Sequence, residues 1–234
     1  MSTTHVKYEQ EGAIALVTLD DGKANALGYE MMDALDAALA RAAAEASAVV
    51  LTGRVGRFCA GFDLREMMKG ADQARALVSR GAELLMKLYA LPMPLVIACS
   101  GHALAGGALT VLTGDWRVGV EGAFKIGLNE VQIGMPVPIL AMELARDRLA
   151  PTYLATATLL GEVADPSTAK IWGYLDEVVE VSELRATATR HATRLAAIPR
   201  DAYAKTKKAL RERTIKYVLD TLAEDMLRLT PPSA

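Results

Sequence analysis

With 234 residues, 52% of them hydrophobic and 23% charged, the chain is long enough to bury a large core and short enough to be one domain with an appendage. A formal net charge of -2 gives none of the basic excess that nucleic-acid binders show, so DNA and RNA are excluded as partners. Two cysteines, Cys59 and Cys99, and three scattered histidines, His5, His102 and His191, fit neither a disulfide framework nor a metal site; with an opening MSTTHVKYEQEG that lacks a basic-then-apolar leader, they point to a reducing, cytoplasmic setting.

Val6–Glu11 and Ala13–Leu19 read as strands, rich in β-branched and aliphatic residues and punctuated by Gly12 and by Asp20–Gly22. The loop Asp20–Ala26 leads into Leu27–Ala46, where Met31, Met32, Leu35, Ala38 and Leu39 recur at helical spacing. Ala48–Thr52 is a short buried strand, Asp63–Met68 is compatible with a helix, and Asp72–Ala90 repeats the helical period through Leu77, Leu84, Leu85 and Leu88. Leu95–Ser100 gives another buried strand.

From Leu88 to Gly114 there is no Asp, Glu, Lys or Arg, a run as long as a membrane span. Pro92, Pro94, Gly101, Gly106 and Gly107 break it, so the expectation is a buried strand followed by a buried helix over Gly107–Leu112, with no membrane association. Asp115–Val120 and Ala123–Ile126 read as further short strands. Beyond Pro136 the pattern is mainly helical, with Asp176–Val181 as a late strand and Arg200–Leu229 as an amphipathic tail. Strands alternating with helices predict an α/β architecture with parallel pairing.

Two segments, RFCAGFDL (Arg57–Leu64) and HALAGGALT (His102–Thr110), place small residues where backbone must come close to something. In each, a turn into a helix leaves N–H groups without partners, around Phe62 in the first and at Gly106–Gly107 in the second, and a helix start carries partial positive charge. Two such donors meeting at one point would stabilise an oxyanion; tight turns that merely allow close packing produce the same pattern. A carboxylate, Glu130, follows in GLNEVQIG (Gly127–Gly134), and an apolar pocket of Leu109, Leu128, Met135 and Val137 would push its pKa up toward that of a useful base. No phosphate-cradling GxxxxGK[ST] loop occurs.

Of the remaining polar residues, His102 reads as a hydrogen-bonded core histidine, and Asp115 and Arg117 as a structural pair. Asp63 and Glu66 read as helix N-terminal acids, and Lys205, Lys207, Lys208, Arg211 and Arg213 as a solvated face of the tail.

Several motifs then stand in a familiar order: AIALVTLDDGKANALGYEM, FCAGFDLREM, ACSGHALAGGALTVLTGDWRV, FKIGLNEVQIGMPVP and AKIWGYLDEVVE. Over nearly its whole length the chain resembles the crotonase, or enoyl-CoA hydratase/isomerase, superfamily. That resemblance implies a crotonase-like spiral of ββα units over residues 1–182 with a helical C-terminal region over 183–234. It also implies a homotrimer or homohexamer, and an acyl-CoA thioester as substrate with no cofactor beyond its CoA. Carried over by position, the family's oxyanion donors fall on the backbone N–H of Phe62 and Gly106, and its CoA-binding edge on Lys23, Ala24 and Ala26 together with Ala60, Gly61, Asp63 and Leu64. The Lys23 ammonium would face nucleotide phosphates or simply be solvated.

The family's hydratases use two glutamates, and here the first of those positions is Leu109 while the second is Glu130. One acid/base group suits isomerisation of a 3-enoyl-CoA to the conjugated 2-enoyl-CoA, and the resemblance is nearer to the family's Δ3,Δ2-enoyl-CoA isomerases of fatty acid metabolism than to its hydratases. The alternatives are a hydratase or another thioester reaction of the superfamily, or a catalytically silent acyl-CoA-binding protein.

Overall fold

The computed structural model of the protein describes residues 5–229. It opens on a hairpin, β1 (Val6–Glu11) and β2 (Ile14–Leu19), antiparallel about Gly12, whose φ of +59° supplies the turn. Then come α1 (Tyr29–Glu45), β3 (Ala48–Thr52), β4 (Gly56–Cys59), α2 (Leu64–Met67), α3 (Ala71–Ala90), β5 (Leu95–Cys99), β6 (Gly101–Leu104) and α4 (Gly106–Leu112). The remainder is β7 (Trp116–Val120), β8 (Ile126–Gly127), α5 (Ile139–Arg148), α6 (Leu154–Thr158), α7 (Pro166–Trp172), β9 (Glu177–Val179), α8 (Leu184–Ala196) and α9 (Arg200–Arg228).

Among the described residues the strands form two sheets, one ordered β1-β2-β3-β5-β7-β9 and parallel beyond the first hairpin, the other a parallel β4-β6-β8. The chain therefore winds as a spiral: β3, β5 and β7 lie in the large sheet, the strand after each lies in the small sheet, and a helix follows each pair. This is the α/β spiral of ββα units that the motifs imply.

The large sheet is covered on both faces, which is why its strands are apolar without alternation. Val49, Leu51, Leu95, Ile97 and Cys99 face the main core with α1 and α3, while Val50, Val96, Ala98, Val118 and Val120 face Leu184, Ala188 and Ala192 of α8. The helical C-terminal region thus closes the second face with α8 and lays α9 against α3 and α5.

Several expectations are corrected. The strand read at Ala123–Ile126 is Ile126–Gly127, and β4 and β6 had not been recognised as strands. Asp115 does not pair with Arg117. Its carboxylate takes Lys207 Nζ at 2.7 Å and Arg211 Nη2 at 2.8 Å, while Arg117 forks onto Asp176 at 2.7 and 2.9 Å. Lys207 and Arg211 are therefore buried on the core side of α9, where they also bond the carbonyls of Met93 and Tyr89. His102 is only half-buried, its Nδ1 accepting the Lys125 N–H at 3.0 Å. Among the described residues no helix is long and apolar enough to cross a membrane.

Candidate active site

The first arm of the site is the turn after β4. Gly61 has φ +95°, and a Cβ there would come within 2.9 Å of the Leu104 carbonyl and 3.3 Å of the Gly106 nitrogen, so glycine is required both for the turn and for the approach to the second arm. The loop carrying Lys23–Ala26 fixes this turn. Ala60 N–H donates to Ala24 O at 3.0 Å, Leu27 N–H to Gly61 O at 2.8 Å, and Asp63 N–H to Leu27 O at 3.3 Å. In this parallel bridge between Leu27 and Phe62 the neighbours of Phe62 carry the bonds, and its own N–H is left facing away from Leu27 without a backbone acceptor among the described residues. Fully buried Asn25, at φ +54°, locks the loop by donating from Nδ2 to the carbonyls of Arg57 and Phe58 at 3.0 and 3.1 Å.

The second arm is the junction of β6 with α4. Ala105 sits at φ 48° and ψ -120°, a conformation that L residues rarely hold and that stores strain of order 1–3 kcal/mol. Its ψ sets the direction of the Gly106 N–H, which as the first group of α4 has no intrahelical acceptor. Small residues let the two arms close together. A Cβ on Gly107 would lie 2.0 Å from Cys59 O, and the Phe62 ring is seated between Gly81 of α3 and Gly106, where added Cβ atoms would fall 2.1 and 3.2 Å from ring carbons.

Glu130 follows β8 and caps a short 3₁₀ turn, Val131–Ile133, its carbonyl accepting the N–H of Ile133 at 3.1 Å and of Met135 at 2.9 Å. The side chain is only 6% exposed, its Oε2 has no hydrogen-bond partner, and burial pushes its pKa from an ordinary 4.5 up to about 7, against a smaller lowering by its own backbone N–H. It lines a cavity of about 230 Å³ together with Ala60, Phe62, Leu64, Leu104, Ala105 and Leu109, and apolar Met67, Val78 and Leu140 continue the wall. Leu109, where the resemblance would put the family's other glutamate, is buried. Of the four apolar residues expected around Glu130, Leu109 and Met135 line this cavity, whereas Leu128 is packed in the core and Val137 faces a neighbouring groove.

A second cavity of about 620 Å³ opens beside it and takes in Lys23, Ala24, Ala26 and Asp63 with His5, Asp21 and Arg65. Lys23 is exposed there, its carbonyl held by the Arg54 guanidinium. Asp63 caps α2 by accepting the Arg65 N–H at 2.9 Å, as its sequence position suggests. The structure thus brings Phe62, Ala105 and Glu130 to one cavity, with Gly106 next in the chain after Ala105 but, like Gly61, not among the lining residues, and puts the Lys23–Ala26 edge on a second cavity.

One nearby residue escaped sequence reasoning. The Tyr174 hydroxyl is fully buried, feels the Glu130 carboxylate, and faces the Leu128 N–H without closing a hydrogen bond of ordinary geometry. Burial, then Glu130, raise its pKa. It lies just past the end of α7, after Gly173, and nothing in the sequence relates it to Glu130.

The family described as enoyl-CoA hydratase/isomerase matches residues 9–228 of this chain. The human mitochondrial enoyl-CoA delta isomerase 1 is 30% identical over 214 residues, which is 89% of this chain and 71% of the relative. Among solved structures, an enoyl-CoA hydratase/isomerase family protein from Pseudomonas syringae superimposes with a TM-score of 0.94 at 37% identity, covering 97% of this chain and 98% of the other. An enoyl-CoA hydratase from Mycobacterium marinum does so with a TM-score of 0.89 at 34% identity, covering 95% and 99%.

Proposed function

The chain belongs to the enoyl-CoA hydratase/isomerase family, and from that premise we propose that it isomerises 3-enoyl-CoA to 2-enoyl-CoA. The observation that carries this choice is the single carboxylate: among the described residues Glu130 is the one ionisable side chain lining its cavity, and the position where a hydratase would carry another is Leu109.

In this reading the N–H groups of Phe62 and Gly106 hold the thioester oxygen. The Glu130 carboxylate removes a proton from C2, and the electron pair moves onto that oxygen as a dienolate. Glu130 then returns the proton to C4, so the double bond passes from C3–C4 to C2–C3 with no net oxidation. One group serves both steps because the dienolate stays in place between them. A pKa of about 7 lets Glu130 accept and release a proton at neutral pH, and each backbone donor contributes roughly 10²–10³ in rate by analogy with other oxyanion sites. The CoA nucleotide would lie along the Lys23–Ala26 edge, and CoA is the only carrier group the reaction requires. We further propose a homotrimer or homohexamer in the cytoplasm, a reading supported by the exposed Leu159, Leu160 and Ile171, each more than half exposed.

The test is a spectrophotometric assay with trans-3-hexenoyl-CoA and with crotonyl-CoA. Isomerisation by the wild type is expected to vanish in Glu130→Gln while CoA-ester binding persists. Rapid hydration of crotonyl-CoA by the wild type would replace the isomerase reading with the hydratase one, and full turnover by the variant would remove Glu130 from the chemistry. Leu109→Glu is expected to bring in hydratase activity.

A further inference from the structure

Pro138, Leu140 and Leu229 form part of the wall of the Glu130 cavity. On the far side of that wall lies a separate groove of about 180 Å³, between residues 136–139 and the end of α9. Pro138 and Leu229 are the residues common to both spaces, so each of them faces the cavity and the groove.

The two halves of the partition differ in what they could yield. Pro138 is the residue before α5, its ring fixing φ at -64°. Leu229 follows α9, is 5% exposed, and is held by its N–H to Met226 O at 3.2 Å. The end of α9 is registered against Pro138 by Asp225, whose Oδ2 accepts the Ile139 N–H at 2.8 Å and so joins the last turn of one helix to the first of the other. Leu229 is thus a hydrocarbon stopper presented from a fixed helix end toward a cavity whose deep wall is also hydrocarbon.

We propose that Leu229 is the residue that sets acyl-chain length, closing the Glu130 cavity against the groove beyond it, so that removing its side chain joins the two spaces into one channel for the distal methylenes of a longer acyl chain. This rests on the acyl-CoA reading above.

The experiment is a binding ladder of saturated acyl-CoA esters from butanoyl to hexadecanoyl, read by calorimetry on the wild type, Leu229→Ala and Leu229→Phe. Saturated esters cannot isomerise, so the readout is independent of the reaction assigned to the site. For the wild type, affinity is expected to rise by up to about fourfold per methylene until the cavity is filled, and then to level off. Leu229→Ala should move that plateau to longer chains with the shortest esters unaffected, and Leu229→Phe should move it to shorter ones. Plateaus that coincide in all three proteins would overturn the proposal, as would failure of all three to bind any ester. Loss of binding confined to Leu229→Ala would reflect loosening of the α9 end, and Leu229→Phe then decides: a shorter plateau upholds the stopper and an unchanged one rejects it. A plateau shift in a protein that does not isomerise 3-hexenoyl-CoA would sink the reaction and leave the stopper standing; unchanged plateaus in an active isomerase would do the reverse.

Discussion

Replacing Glu130 by Gln should stabilise the protein, and the gain should depend on pH in a way that reports the desolvation of the carboxyl directly. In the folded chain the group titrates near 7, whereas an ordinary glutamate titrates at 4.5. Between those values the unfolded chain has already released the proton that the folded chain still holds, so the unfolded state binds fewer protons and stability falls as pH rises. The rise from 4.5 to about 7, at about 1.36 kcal/mol per pH unit, amounts to roughly 3 kcal/mol lost by pH 8 and under about 1 kcal/mol lost at pH 5. Gln keeps the shape without the titration, so the difference between variant and wild type should widen by roughly 2–3 kcal/mol from pH 5 to pH 8. In a chain of this size that corresponds to roughly 5–10 °C in Tm. Thermal unfolding of both proteins at the two pH values measures it, and taking the difference cancels the other titrating groups. A stability difference that is flat with pH would mean that the carboxyl is not held in a dry site, and the base assigned to the reaction would lose its physical basis.

Other perturbations probe the surrounding parts. Gly81→Ala, which would put a Cβ 2.1 Å from the Phe62 ring, should displace Phe62 and lower kcat by about tenfold or more with circular dichroism unchanged; full activity would show that the ring does not set the position of its N–H. Asp115→Ala leaves Lys207 and Arg211 buried without their anion and should cost about 3–5 kcal/mol in chemical denaturation, so a loss below about 1 kcal/mol would contradict the pairing. Tyr174→Phe deletes a buried hydroxyl that has no partner and should be neutral or stabilising by up to about 1 kcal/mol, whereas a clear drop in Tm would mean that the hydroxyl is bonded in solution.

The parts of the fold that could be read from the sequence are those where local pattern and tertiary burial agree. Ala48–Thr52 and Leu95–Cys99 are continuous apolar runs because α8 covers one face of their sheet and α1 and α3 the other. The small sheet is different. β4 and β6 begin on Gly56 and Gly101, and a Cβ on Gly101 would strike the Gly56 carbonyl carbon at 2.1 Å. Glycines that permit two strands to approach look, in one dimension, like turns. Charge misled in α9, where Lys207 and Arg211, read as part of a solvated face, lie in the buried stripe with Thr214 and Val218 because their partner is Asp115, the first charged residue after the long uncharged run.

The site divides in the same way. Gly61 and Gly107 are legible because only glycine fits where the backbones nearly touch, Gly106 stands beside them under the Phe62 and Leu27 side chains, and Glu130 is legible by its place in GLNEVQIG. What the sequence could not supply is the part of the cavity wall made by Pro138, Leu140 and Leu229, which come from two distant stretches of the chain and carry no signature beyond being apolar.

The central claim is that two main-chain N–H groups and one dry carboxyl act on a single thioester. A crystal structure with a bound, unreactive 3-enoyl-CoA analogue tests it most directly. The account predicts the thioester oxygen about 2.7–3.1 Å from both the Phe62 and the Gly106 nitrogens, with a Glu130 carboxylate oxygen in reach of C2 and C4. A thioester oxygen that meets neither nitrogen, or a Glu130 turned away from the acyl chain, would contradict it.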